Sequence, residues 1–305
     1  MRAIAINDYG TPATLTELPK PEPGPGEVLV RVRASSINGF DAAVAAGMLK
    51  GMMEHRFPVV LGKDFAGTVE AVGEGASRFV AGDAVFGVVM KPFLGDGGLG
   101  EYLVVGEQHG IARIPEGLDL QAAGALGLAG TAAVNAIDAV APTTGEDVLI
   151  SGATGGVGAI ALQYAVAAGA EVIATARPGP EADFVHGLGA AHVVDYTSDL
   201  AAQVRAIAPE GVPAIVHLAG EAEQLAGLLA AGGRIASTLG FGPDQHPAAV
   251  AVMADPNPVT LDRLAADAAS GALRVPITRT YPLEGTPQAL ADFTAGSLGK
   301  LAITV

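Results

Sequence analysis

Between Gly152 and Gly158 the chain reads Gly-Ala-Thr-Gly-Gly-Val-Gly. Glycines at this density let a backbone turn sharply and come within contact of a pyrophosphate. A following helix points unpaired N–H groups and a partial positive charge at the same anion. The fingerprint is Ala153-x-Gly155-x-x-Gly158, with alanine where the first glycine usually stands. A plain tight turn can have the same composition, so flanking structure must decide. Thr154, Gly155, Gly156 and Val157 are the residues predicted to touch the phosphates. The next strand ends Thr175-Ala176-Arg177, with no acid before Glu181. An Asp or Glu there would hold a ribose 2′-hydroxyl, whereas Arg177 suits a 2′-phosphate in bidentate fashion. An exposed loop arginine is the alternative.

Other residues bear on what chemistry is open. The chain has no cysteine, which excludes disulfides, thiolate nucleophiles and zinc sites that use sulfur. Six histidines, at 55, 109, 186, 192, 217 and 246, form no i, i+3 or i, i+4 pair. No motif supports a Ser–His–Asp array. Asn38 is polar amid apolar residues and is the candidate catalytic donor, to a carboxamide or a substrate oxygen; a turn-forming asparagine is the alternative.

The elements that must position these groups are legible in outline. Asp147-Val148-Leu149-Ile150 precedes the loop, the Pro-free segment Ala159–Gly169 follows it, and Val172-Ile173-Ala174 comes next. This is strand, turn, helix, strand over about thirty residues, the length of a βαβ unit. Further strands are predicted at 192–195, 214–218 and 234–239, with helices between. Such alternation implies a doubly wound parallel sheet, with 249–253 as its edge strand. Gly220, Leu239 and Gly240 follow the fourth and fifth strands, at the edge where such folds bind ligands; their glycines equally suit ordinary turns. The N-terminal third shows short strands at 1–6, 27–33, 68–73 and 101–105, a pattern of a small barrel or sandwich. Residues 41–50 suggest a short helix or lid and 95–100 a mobile loop. Residues 120–141 are alanine-rich and helical, as are 261–272. Strands at 277–281 and 301–305 are expected to return to the first domain.

With 305 residues, half of them hydrophobic, the chain can bury the cores of two domains. A net charge of −15 argues against nucleic acid, since phosphates would meet no basic patch. No apolar run reaches the ~18 residues of a membrane span, and no basic-then-apolar leader opens the chain, so membrane association is not expected and a cytoplasmic location is.

Taken together, several motifs resemble the zinc-independent quinone oxidoreductases of the medium-chain dehydrogenase/reductase superfamily. They are Pro23-Gly24-Pro25-Gly26-Glu27-Val28, Ser36-Ile37-Asn38-Gly39-Phe40-Asp41, Pro58 to Val69 with Leu61-Gly62-Lys63-Asp64 at its centre, and Ala153 to Gly158. Gly232-Gly233-Arg234 and Gly299-Lys300 also sit where that family has late strand turns. The resemblance implies an α/β chain: a GroES-like β-rich catalytic domain at 1–115 and 271–305, a Rossmann domain at 116–270, and a cleft between them. It implies NADPH as cofactor, Thr131 and Asn38 near the nicotinamide, and Tyr196 near the 2′-phosphate. An interior helix hydroxyl and a rim tyrosine are the alternatives for Thr131 and Tyr196. It also implies a homodimer through the 249–253 edge strand. The zinc enzymes of this superfamily carry a metal-binding histidine where Lys63 stands, and an ammonium is a poor zinc ligand. Without a Lewis acid the substrate must itself be electrophilic, such as a quinone or an α,β-unsaturated carbonyl. An enoyl-thioester reductase of the same superfamily is the second enzymatic expectation, and a non-catalytic NADPH-binding sensor or structural protein is the third.

Overall fold

The computed structural model describes residues 1–305 and divides into two compact units. One is Met1–Leu128 with Pro256–Val305, the other Ala129–Asp255. These divisions differ from those expected from sequence. The helix Leu120–Gly124 packs on the strands Glu27–Ile37 and Asp64–Val72, and Pro258–Ala269 packs on Ile111–Arg113, so both helices group with the first unit.

In the second unit six strands form one sheet in the order His192–Val194, Glu171–Thr175, Asp147–Ser151, Val212–His217, Leu229–Ser237, Ala249–Ala251. Every neighbouring pair is parallel. This is the Rossmann order, and it reverses between Asp147–Ser151 and Val212–His217, the topological switch point. The central strands are apolar on both faces because helices cover both: Val148, Leu149, Ile150, Val172, Ile173, Ile215 and Val216 are fully buried. The helix Gly156–Ala167 buries Gly158, Ala159, Ile160, Ala161, Leu162 and Ala165, and the glycine and alanines among them let it lie close to the sheet. The fifth strand starts at Leu229 rather than at the expected 234. Gly232 and Gly233 lie inside it, where the register shifts between Val212 and Ala214 of its neighbour.

In the first unit Glu27–Ile37 is the hub. It pairs antiparallel with Asp64–Val72, with Tyr102–Gly106 and with Lys300–Thr304. The last pairing brings the C-terminal strand back as expected, with Leu301 opposite Ile37 and Ala302 opposite Ser36. A three-stranded sheet of Thr14–Glu17, Arg2–Ile6 and Val59–Val60 completes the β-rich body. The expected 41–50 helix is Gly39–Ala45, entered through Asn38.

The 95–100 segment is not the free loop its glycines suggested. Gly97, Gly98, Leu99 and Gly100 are buried. Gly98 N–H donates to Gly62 at 2.8 Å, Leu99 N–H to Leu61 at 2.9 Å, and Ile4 N–H to Leu99 at 2.8 Å. A Cβ on Gly97 would lie 2.2 Å from the Leu61 carbonyl oxygen. Glycine serves close backbone packing there, and its paired N–H and C=O groups tie the segment down.

Candidate cofactor cradle and polar cluster

The Asp147–Ser151 strand delivers the chain into the glycine loop at the sheet's switch point. Gly152 turns at φ +72°, and Gly155 caps the Gly156–Ala167 helix in an extended conformation. The Asp119, Asp199 and Asn257 side chains cap the N-termini of their helices, but the helix behind Gly155 has no side-chain cap. Its first N–H groups are therefore available to an outside acceptor. Gly158 is needed for close packing: a Cβ there would stand 2.2 Å from the Gly152 carbonyl oxygen. A cavity of about 360 Å³ opens beside the loop. Thr154, Thr175, Tyr196 and Gly220 line it, together with Glu221 and Gln224.

The structure thus brings together four of the sequence-predicted residues around one cavity. Thr175 also braces the turn from within, because its hydroxyl accepts from Gly152 N–H at 2.9 Å. Gly220 sits at φ +85°, and its carbonyl lies 3.1 Å from His217 Nε2. Leu239 and Gly240 follow the fifth strand and are exposed, Gly240 at φ +81°, and neither lines this cavity. Thr131 is fully buried within the Gly127–Val140 helix. Arg177 lies just past the second strand, exposed, its guanidinium against Glu181 at 2.5 Å. Sequence reasoning missed Glu221 and Gln224. Their signal is position, just after the strand Val212–His217 at the sheet's carboxyl edge. The turn, the uncapped helix and the cavity fit the phosphates and adenosine half of a dinucleotide.

Asn38 sits in the other unit, inside a buried polar cluster that spacing alone did not reveal. Its Nδ2 donates to Asp64 Oδ2 at 2.8 Å, and its Oδ1 accepts from Lys300 Nζ at 2.6 Å. Asp64 Oδ2 also accepts from Ser36 at 2.5 Å, and Oδ1 accepts from Leu128 N–H at 2.7 Å. Lys300 reaches Asp64 at 3.4 Å, with both side chains buried. Charges so deeply buried persist only with partners for each other and for their remaining hydrogen-bonding capacity. The amide of Asn38 donates through one of its two N–H groups here, to Asp64. Next to it, Asp41 accepts from the backbone N–H of Asn38 at 2.9 Å and of Lys63 at 3.0 Å. Burial, reinforced by the negative charge of Asp64, pushes the Asp41 carboxyl up to about 7. Lys63 donates to the Val89 carbonyl, and its burial lowers its pKa. No three His, Asp or Glu side chains gather into a set that could hold a metal ion. With Asp64 saturated by donors and Lys63 engaged as a donor, these residues do not fit a zinc centre.

Comparison with known proteins now bears on this geometry. Residues 24–116 match the alcohol dehydrogenase GroES-like domain, and residues 156–265 match the model described as zinc-binding dehydrogenase. A quinone oxidoreductase of Lama guanicoe is 30% identical, with the alignment covering 99% of this chain and 97% of that protein. The chain belongs to the quinone oxidoreductase family of the medium-chain dehydrogenase/reductase superfamily.

Other similar proteins fill in the picture. A chloroplast envelope quinone oxidoreductase homolog of Arabidopsis thaliana is 35% identical over 72% of this chain and 68% of its own length. A mycocerosic acid synthase-like polyketide synthase of Mycobacterium tuberculosis is 42% identical over 70% of this chain, which spans only 10% of that much longer protein. Among solved structures, the quinone oxidoreductase of Coxiella burnetii superposes with a TM-score of 0.90 at 28% identity, covering 100% of this chain and 99% of the other. A mycobacterial protein complexed with NADPH superposes at 0.86 with 26% identity, covering 100% of both. The family architecture is a GroES-like domain joined to a Rossmann domain, and this quinone oxidoreductase family member has both. No helix is long and apolar enough to cross a membrane.

Proposed function

We propose that this protein is a zinc-independent, NADPH-dependent reductase of quinones or α,β-unsaturated carbonyls. The observation that carries the reading is Arg177 directly after the second parallel strand, where a cofactor's ribose lies in this fold, with Tyr196 beside it. The likeness to a mycobacterial protein complexed with NADPH supports it. Bound NADPH supplies a hydride, so the substrate needs an electron sink, which a quinone or enone carries in its conjugated oxygen. The loop Thr154–Val157 and the helix behind it would hold the pyrophosphate, and Arg177 and Tyr196 the 2′-phosphate. Thr131, Thr175, Gly220, Leu239 and Gly240 would shape the rest of the cofactor's bed. Asn38, its amide plane set by Asp64 and Lys300, would direct its second N–H at the oxygen where negative charge collects. The resulting anion, an enolate from an enone or a hydroquinone anion from a quinone, would then take its proton from water.

Reduction of an enoyl thioester is the second reading, favoured by the 42% identity to a polyketide synthase segment. A non-catalytic NADPH-binding role is the third. A homodimer through Ala249–Ala251 belongs to the first reading, since that strand is the free edge of the sheet. So does residence in the cytoplasm, against the plastid named for one relative.

The test is NADPH oxidation across quinones, enones, enoyl thioesters and simple secondary alcohols, before and after dialysis against a strong chelator. Turnover with a quinone or enone, unchanged by chelation and absent with alcohols, is expected. Selective turnover of thioesters would move the assignment to the second reading, and no turnover at all to the third. Stoichiometric zinc whose removal abolishes activity would refute the proposal.

A further inference from the structure

Both side chains assigned above to a 2′-phosphate are held by a carboxylate. Glu181 Oε1 accepts from Arg177 Nε at 2.7 Å and stands 2.5 Å from Arg177 Nη2. Its Oε2 accepts from the Arg177 backbone N–H at 2.8 Å. Tyr196 donates its hydroxyl to the same Oε1 at 3.4 Å. The Glu181 side chain is 13% exposed and that of Arg177 60%, so the carboxylate is the inner member of the pair. Asp195 adds a second negative charge, near enough to act electrostatically on both Arg177 and Tyr196.

We infer that Glu181 is an internal competitor for the 2′-phosphate: it holds down the protein's preference for NADPH and lets NADH bind. The inference rests on the reading of Arg177 as the 2′-phosphate residue. A phosphomonoester carries a charge of about −1.5 to −2 at neutral pH and offers mainly acceptors. It cannot bond to a carboxylate, so it must displace Glu181 from Arg177 or share the guanidinium at close range with a like charge. A ribose 2′-hydroxyl has a proton to give and can donate it to Glu181. The contact that opposes NADPH is thus one that an unphosphorylated ribose can use.

Dissociation constants for NADPH, NADH and 2′,5′-ADP, measured by calorimetry at one ionic strength, decide the matter for the wild type, Glu181→Gln, Arg177→Ala and the double variant. Glutamine keeps an oxygen to accept from the Arg177 backbone, so the turn should survive; Glu181→Ala is the second variant, with the same expectation. Removing the charge should tighten NADPH and 2′,5′-ADP about tenfold, the scale of one charge-assisted hydrogen bond, and leave NADH no tighter. The double variant should lose that gain. Equal NADPH affinity with and without Glu181, while Arg177→Ala still weakens NADPH, would overturn the inference and leave the Arg177 reading intact. NADPH binding indifferent to Arg177→Ala, or no binding of 2′,5′-ADP to either the wild type or Glu181→Gln, would overturn both.

Discussion

Asn38 donates to Asp64 and accepts from Lys300, so its amide orientation is set before any ligand arrives. A preorganised donor of this kind contributes ~2.7–4 kcal/mol to a developing oxyanion. Asn38→Ala should therefore lower kcat by about 10²–10³-fold and change NADPH affinity little. Steady-state kinetics beside direct cofactor titration separate the two effects. A loss confined to cofactor affinity would remove Asn38 from the chemistry. Its neighbour Asp41 bears on pH. The folded state holds this carboxyl near 7, against an unfolded value of 3.8, so the folded protein binds the extra proton between those values. Stability from this group is complete below about pH 4 and is lost as pH rises through about 7. Melting temperature should fall over that window, and Asp41→Asn should flatten the fall. An unchanged slope in the variant would assign the dependence to other groups.

The glycine loop and the Gly156–Ala167 helix act as one element, and the two glycines flanking Gly156 and Val157 have different roles there. Gly158→Ala forces a Cβ to within 2.2 Å of the Gly152 oxygen, whereas at Gly155 the nearest atom, the same oxygen, is 3.5 Å away. The first change should cost ~1–3 kcal/mol through overpacking and abolish nucleotide binding. The second should leave the fold intact, and only its effect on nucleotide affinity needs reading. Denaturant unfolding beside cofactor titration would show the contrast, and equal stabilities would contradict it. A second clamp joins elements across the same sheet. Arg234 donates to both oxygens of Glu146, at 2.7 and 2.8 Å, and to the carbonyls of Val140 and Ala141 at the end of a helix. These hydrogen bonds, outweighing burial and helped by the Thr143 N–H, hold the Glu146 carboxyl down at about 2. Its contribution is present above the ordinary carboxylate range and disappears as pH falls from 4.5 through about 2. At neutral pH Glu146→Gln should lower the melting temperature by about 2–4 °C, the response to a partly solvated ion pair in a chain of this size. At pH 2 the gap between the two proteins should narrow, and calorimetry at both values would check it.

At the scale of the whole molecule the open question is assembly. The strand Ala249–Ala251 leaves one side of the parallel sheet unpaired, and Val250 and Met253 are exposed along it. Unpaired backbone beside apolar side chains is a template for pairing with another chain. The expected particle is a dimer of the 30.3 kDa chain. Val250→Lys, a charge on an exposed edge, should convert it to monomer at micromolar concentration without loss of melting cooperativity. Light scattering on both proteins reads this directly. A wild-type monomer, or a dimer indifferent to the lysine, would place any interface elsewhere.

Local spacing determined a good part of this protein. The βαβ unit around Gly152–Gly158 was legible because the apolar runs on either side are short and uninterrupted and the glycines fall between them. The return of residues 300–304 to the first unit was legible from the pattern of short strands. Cysteine content decided which ligand chemistries were closed, since that needs no coordinates. Tertiary structure decided the rest. The 95–100 segment looked mobile by composition, yet its glycines exist to let backbones touch, which a linear reading cannot distinguish from flexibility. Asp64 and Lys300 are 236 positions apart and meet only because the C-terminal strand pairs with Glu27–Ile37 beside Asp64–Val72. The tie that orients Asn38 was therefore invisible in the chain. Glu181 is four residues from Arg177 and was in plain view, but its effect on that arginine depends on a side chain folding back from the first turn of the Pro180–His186 helix onto the loop before it. Sequence determines which charges are near one another along the chain. Only the fold determines which of them have already found partners, because pairing depends on direction and burial, and neither is a property of spacing.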